Sequence, residues 1–349
     1  MNHRQEYSTL NPVSLSFCIT TRNRANFIGT TLESLISQAT DEVEIVVLDA
    51  DSADSTPETV EGYAKRFPRL RYIRQETNKG VDKDYDRTVE LACGEYCWMM
   101  SDDDILTPGA VAEVLEQCRK GYDLIVVNAE DRDADLRKTI GEKRLPFTDN
   151  REYEPTEADK LFADVANHLS FIPSVVIRRD LWLSRNRTPY FGSLFVHVGV
   201  IFQEPLPGKA LVIARPLVAV RNANVSWAPR GFEIWMFKWP DLLWSFPGFS
   251  DTVKSRVCPR QPWRGLKILL SQRARGSYSL AEYRRWIAPQ AGSFGSNAMA
   301  WWIAVTPGHL VNTLVLLYCL AFHGRNRMIR FDLLNSRFSV FTYLRKITE

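Results

Sequence analysis

Three consecutive carboxylates, Asp102, Asp103 and Asp104, stand directly after the apolar run Tyr96–Met100 and directly before Ile105-Leu106-Thr107-Pro108-Gly109. Like charges this close repel, and burying them is costly unless a cation neutralises them. A hard divalent ion with oxygen ligands, Mg2+ or Mn2+, meets that need and can bridge to a diphosphate. Taken alone, the run also reads as a solvated acidic turn ahead of a helix near Pro108. Two more polar clusters end apolar runs in the same abrupt way. Thr21-Arg22-Asn23-Arg24 follows Leu15–Thr20, and the acidic stretch 49–56 follows the β-branched run Glu44–Leu48.

The elements that carry these clusters follow from pattern. Leu15–Thr20, Glu44–Leu48, Leu70–Ile73 and Tyr96–Met100 are short apolar runs, as expected of strands covered on both faces. Between them lie helical patterns: Phe27, Ile28, Leu32, Leu35 and Ile36 in the first, Pro57–Phe67 in the second, and a third ending near Ala92. This alternation predicts an α/β fold with a doubly wound, mostly parallel sheet. Ligands of such sheets bind beyond the carboxyl ends of the strands, where Arg22, Asp49 and Asp102–Asp104 fall. Strands at 123–128, 174–177 and 211–213 and a helix near 156–168 complete this domain by about residue 226.

Composition changes after that point. Eight of the ten Trp lie between Trp227 and Trp302, and residues 231–349 hold 16 Lys and Arg against 6 Asp and Glu, net +10, whereas residues 1–230 carry net −7. We therefore expect two domains, 1–230 and a helical 231–349. The 349 residues, 45% hydrophobic and 24% charged, exclude a disordered or collagen-like chain. Six cysteines without a CxxC pair, and an N-terminus without an apolar core, suit a reducing cytoplasm. No GxGxxG follows the first strand, which argues against a dinucleotide oxidoreductase. TTRNRANFIG has a single glycine where a nucleotidyltransferase expects a glycine-rich phosphate loop. No nucleic-acid recognition motif accompanies the basic C-terminal region.

Ile19-Thr20-Thr21-Arg22-Asn23-Arg24, EIVVLDADSADST (44–56), Asn78-Lys79-Gly80 and GEYCWMMSDDD (94–104) occur in an order and spacing that resemble family 2 glycosyltransferases of the GT-A fold. The resemblance is close over 14–120 and traceable to about 226. Gly80-Val81-Asp82-Lys83-Asp84-Tyr85, with the motifs that follow it, looks most like the abequosyltransferases that transfer a dideoxyhexose in O-antigen synthesis. The resemblance implies a nucleotide diphosphate sugar as donor and a hydroxyl of a lipid-linked oligosaccharide as acceptor. It implies that Thr20, Arg22, Asp49, Asp82, Lys83, Asp102 and Arg221 bind the donor, and that Asp103 holds the metal, with Asp104 beside it. Three positions depart from the family pattern. Ala50 and Ser101 replace aspartates, and an Asn at 222 or 224 stands where the family has His. The acidic pair that supplies the family's catalytic base is missing from GSLFVHVGVIFQE (192–204). That leaves His197 as the available base and Glu204 as the nearest carboxylate, although a His on an apolar helix also reads as a structural hydrogen bonder.

Another hexosyl- or rhamnosyltransferase of the same family is the first alternative, and a non-catalytic carbohydrate-binding scaffold on the same fold is a more distant one. The aromatic, basic region 231–349 is expected to dock the protein on an anionic membrane surface, at its cytoplasmic face, through Trp235, Trp239 and Trp244. Ala298–Phe322 approaches the length of a membrane span but is interrupted by Thr306, Pro307, Gly308, His309 and Asn312. It is expected to lie at an interface or be buried, without spanning.

Overall fold

The computed structural model describes residues 13–222, 230–290, 294–322 and 327–340. The apolar runs are strands β1 (Leu15–Thr21), β2 (Val43–Asp49), β3 (Leu70–Arg74) and β4 (Tyr96–Met100), alternating with α1 (Ala25–Ile36), α2 (Thr56–Arg66) and α3 (Val81–Leu91). They pair in parallel in the order β3-β2-β1-β4. Every residue of β2 and β4 is buried, as their unbroken hydrophobicity requires. Next come β5 (Ile105–Leu106), α4 (Ala110–Cys118), β6 (Leu124–Arg132), β7 (Thr139–Gly141), β8 (Arg151–Tyr153), α5 (Ala158–Leu169), β9 (Val175–Arg178), α6 (Arg179–Ser184), α7 (Val196–Phe202) and β10 (Ala210–Arg221).

The sheet continues from β4 through β9, β6 and β10 to β5. β9 is antiparallel to both its neighbours, whereas β6 and β10 are parallel. Phe17 and Trp98 stack across β1 and β4 with ring centroids 5.1 Å apart. Just before β4 the chain passes so close to β1 that a Cβ on Gly94 would lie 2.6 Å from Ser16 Oγ and 2.8 Å from Ser16 N. Only glycine fits there. The Glu44 carboxylate, buried at the other side of β1, accepts the Ser16 hydroxyl at 2.6 Å.

Chain contacts divide the molecule into two units. The first runs through Arg221 and takes back Phe246–Val253; the second holds the described residues of 222–245 and of 254–340. The return is an aromatic anchor, with Phe249 stacked on Phe162 at 4.3 Å and edge-on to Phe202 at 5.7 Å.

The second unit is helical. Its elements are α8 (Gly231–Glu233), which leads through a π-helical stretch (Ile234–Lys238) into α9 (Trp239–Ser245), then α10 (Asp251–Val257), whose first turn belongs to the returned segment, α11 (Leu266–Arg275), α12 (Leu280–Glu282), a second π-helical stretch (Tyr283–Ile287), α13 (Phe294–Val305), α14 (Gly308–Phe322) and α15 (Arg327–Leu334). Its core gathers Phe232, Met236, Trp263, Leu269, Tyr278 and Ile287. The three tryptophans expected at a membrane are drawn inward instead. Trp235 packs on that core and meets Trp239, which is buried. Trp244 is half-buried and its Nε1 donates to the Cys258 carbonyl at 3.1 Å. Amphipathic packing satisfies these rings within the protein.

Candidate active site

Parallel pairing places the ends of β2, β1 and β4 side by side, with Thr20 beside Leu48 and Ile19 beside Met100. The three polar clusters therefore meet at one edge of the sheet. The Arg24 guanidinium joins two of them. Its Nε donates to Asp102 at 3.1 Å, its Nη2 pairs with Asp103, and its plane lies 4.5 Å from the Phe27 ring. All three charged side chains are mostly enclosed, with exposures of 14–18%.

Asp104 is more deeply placed. It accepts the Ser101 hydroxyl and, at 2.8 Å, the backbone N–H of Arg221 at the end of β10. Arg221 Nε donates to the Asp103 carbonyl at 2.9 Å and its Nη1 to the Ala134 carbonyl at 2.6 Å. Arg221 thus reaches the cluster from a strand more than a hundred residues away. Burial, reinforced by the Asp103 charge, raises Asp102 to about 6 and Asp104 to about 7. Arg24 is the guanidinium paired with carboxylate oxygens, that of Arg221 being directed at backbone carbonyls, and burial still holds two of the three carboxyls above their ordinary range.

The neighbouring loops are laced together. Asn23 N–H donates to Ser52 Oγ at 2.9 Å, Asn23 Oδ1 accepts Ala53 N–H at 2.7 Å, and Arg24 N–H donates to Thr56 Oγ1 at 2.8 Å. Asn23 and Asp51 sit at φ 55° and 64°, a left-handed geometry that non-glycine residues adopt only when their surroundings impose it. Thr20 hydrogen-bonds the phenol of Tyr85, which donates to the Met100 carbonyl at 3.0 Å. Arg22 is exposed at the end of β1.

Several expected site residues are occupied differently. Asp49 is fully buried, one oxygen accepting Ser52 N–H at 2.8 Å and the other the Tyr72 hydroxyl at 2.6 Å. It shapes the turn, while Asp51, 49% exposed, is the carboxylate that the turn presents. Asp82, expected at the donor, accepts the backbone N–H groups of Gly192, Leu194 and Val196 at 2.8–3.0 Å, so its carboxylate organises the entry to α7. Lys83 points outward, its Nζ 5.9 Å from the Phe191 ring.

His197 requires a correction. It is 1% exposed on α7, its Nε2 lies 2.7 Å from the Leu169 carbonyl, and burial lowers it to about 4. Donation of Nε2–H to a carbonyl leaves Nδ1 as the basic nitrogen, and that atom is buried with no hydrogen-bond partner, so the ring as placed serves as a structural hydrogen bonder. Glu204 is exposed beyond α7, and its backbone carbonyl accepts Arg185 at 2.7 Å. No contact links either residue to the carboxylate cluster among the described residues. Of the two Asn positions that replace the family's His, Asn222 is buried and Asn224 lies outside the described residues.

Arg24, Asn23 and Asp51 were not singled out from sequence. The double Arg of TTRNR was the available signal for Arg24, and a left-handed Asn or Asp leaves no mark in one sequence.

Among the described residues, no group of three or more His, Cys, Asp or Glu is arranged to hold a metal by itself. The donor set nonetheless suits Mg2+ or Mn2+ shared with a ligand. Asp103 offers a hard carboxylate oxygen, its neighbours hold excess negative charge, and such ions commonly use one or two carboxylates plus substrate phosphates.

A parallel half sheet with carboxylates at its strand ends, closed by a long strand carrying an arginine, is the architecture of the GT-A fold. Residues 16–179, just under half of the chain, match the family model described as glycosyl transferase family 2, and this match together with the relatives that follow supports a glycosyltransferase. It is 26% identical to abequosyltransferase RfbV of Salmonella typhimurium over 233 residues, which are 62% of this chain and 69% of that protein. It is 26% identical over 151 residues to the GalNAc(5)-diNAcBac-PP-undecaprenol beta-1,3-glucosyltransferase of Campylobacter jejuni, covering 43% of this chain and 48% of that one. The structure of S. aureus TarS 1-349 in complex with UDP superimposes with a TM-score of 0.57 at 18% identity, over 96% of this chain and 92% of that chain.

Proposed function

We propose that the protein transfers a sugar from a nucleotide diphosphate sugar to a hydroxyl of a lipid-linked oligosaccharide in surface polysaccharide synthesis, at the cytoplasmic face of a membrane. The sugar is a deoxy- or dideoxyhexose, with abequose the leading case. The observation that carries this reading is the carboxylate cluster held by Arg24 and Arg221 at the edge where three strand ends meet. The likeness to an abequosyltransferase supports the sugar class, and the likeness to an enzyme named for an undecaprenol-linked substrate supports the acceptor.

Asp103 and the donor diphosphate would hold the Mg2+ or Mn2+ ion, with Asp102 beside it. When bound, the ion supplies positive charge against the departing diphosphate. Asp104 fixes the end of β10 through the Arg221 N–H, so Arg221 is delivered to the diphosphate side of the cluster. Arg22, exposed on the β1 loop, offers a further cation to the phosphates. Asp49 positions the β2–α2 turn, and Asp51 and Thr20 stand where the nucleoside enters. Lys83, on the outward side of α3, meets the sugar side of the donor.

The test is a panel of CDP-, UDP-, dTDP- and GDP-sugars with Mn2+, read by thermal shift and then by product formation on a lipid-linked acceptor. A donor at a hundred times its dissociation constant stabilises the folded state by about 2.7 kcal/mol. Stabilisation by one nucleotide class, with transfer of its sugar, is the expected result. Binding of nucleoside triphosphates with pyrophosphate release would instead assign a nucleotidyltransferase, and glycan binding without turnover would assign a scaffold.

A further inference from the structure

We propose that the outward faces of α13 and α14 form one lipid-contacting surface that lies within the headgroup layer of an anionic membrane. The proposal rests on the functional reading only for its lipid-linked acceptor; the surface is read from the helical unit by itself. Residues 294–322 contain no Asp, Glu, Lys or Arg. Pro307 lacks an N–H and biases the residue before it away from helix, so the segment breaks there, and the two helices meet at 99°. At 1.5 Å per residue, 12 and 15 residues reach roughly 18 and 22 Å, short of the ~30 Å hydrocarbon core. Neither helix is long enough to cross alone, and the bend takes the pair off a single axis.

The two sides of α14 show what is left over. Its inner stripe of Gly308, Val311, Asn312 and Cys319 is buried, and Asn312 Nδ2 donates to the Ala274 and Leu333 carbonyls at 3.0 and 2.9 Å. Its outer stripe, Leu310, Leu314, Leu317 and Tyr318, is 53–57% exposed. On a helix facing water that stripe would be polar. Trp302 on α13 and Phe322 at the end of α14 are exposed further, at 61% and 71%. Large apolar side chains exposed at this density, with no charge among them, mark a surface that meets something else.

Charge selects the occupant. Exposed Arg284 and Arg285 precede the uncharged stretch and exposed Arg327 follows it, within a region of net +10. An apolar, aromatic face on a segment flanked by exposed arginines complements anionic headgroups over an acyl boundary. A second copy would instead bring the same positively charged region against itself.

The test is co-sedimentation of the full chain with vesicles of phosphatidylcholine alone or with phosphatidylglycerol. Leu314→Glu with Leu317→Glu is expected to lower partitioning to anionic vesicles by at least about tenfold while leaving the melting temperature unchanged, because both positions are exposed. Arg327→Gln is expected to weaken binding to anionic vesicles only. Wild-type protein that stays in solution with anionic vesicles at low salt would overturn the proposal, as would a double variant that binds like wild type. A solution dimer dissolved by the double variant would also overturn it, by giving the face to a second copy. Turnover with a water-soluble acceptor separates the two readings. The double variant is expected to keep it, whereas a wild type unable to transfer any sugar would defeat the enzymatic reading and leave the vesicle result standing.

Discussion

At the carboxyl ends of β1, β2 and β4 charge is taken out of water; along α13 and α14 apolar surface is left in it. Both depart from the usual partition of a folded chain, in opposite directions. In the first region the departure is held by dense hydrogen bonding, with Arg24, Ser101, Thr31 and the Arg221 backbone each committed to the carboxylate segment. In the second it is held by the opposite stripe of the same helix, where Asn312 ties α14 to α11 and α15. The difference teaches what each region awaits. A crowded pocket of carboxylates is completed by a further cation, and an uncharged helix face by an apolar phase.

The sharpest way to break this contrast is Asp103→Asn. Loss of the metal-side carboxylate is expected to lower turnover by about a thousandfold and to remove Mn2+-dependent nucleotide binding. Wild-type turnover in that variant, or unimpaired wild-type activity in excess EDTA, would refute the assignment.

A second prediction uses the titration of the cluster. Asp102 and Asp104 are raised to about 6 and about 7 in the folded state, so between about pH 4 and 7 the folded chain binds more protons than the unfolded one. The metal-free protein is therefore expected to lose stability as pH rises through that window, by a few kcal/mol in all. Mn2+ with a nucleoside diphosphate should flatten the decline. Melting curves from pH 4.5 to 7.5 measure it, and a melting temperature that climbs through this window in wild type but not in Asp104→Asn would contradict it.

The helical region is tested at its inner stripe. Asn312→Leu deletes two hydrogen bonds, for a loss of about 1–3 kcal/mol, while Ser336 still donates to both carbonyls through its hydroxyl and its N–H. The expected signature is earlier unfolding, by chemical denaturation, with nucleotide affinity unchanged.

The smallest effect is expected at His197. His197→Gln should lower stability by about 1 kcal/mol through its bond to the Leu169 carbonyl while turnover stays within about threefold of wild type and the pH profile keeps its shape. A hundredfold fall in turnover without a stability change would restore His197 as a base.

How much of this was readable before folding depends on the range of each interaction. The parallel half of the sheet, its intervening helices and the placement of Asp102–Asp104 at a strand end are local consequences of apolar runs and punctuation, and the sequence determined them. So did the break at Pro307 and the absence of charge from 294–322. The antiparallel insertion of β9, the return of Phe246–Val253 to the first unit and the pairing of Arg24 with two carboxylates 78 and 79 residues away came only with tertiary structure. The same holds for Asp82, whose helix face is local but whose three amide partners lie at 192–196. His197 and the tryptophans of 235–244 show why. A side chain's type and period say what it can do, but whether its polar atom or ring is already engaged depends on contacts between distant segments, and only packing decides those.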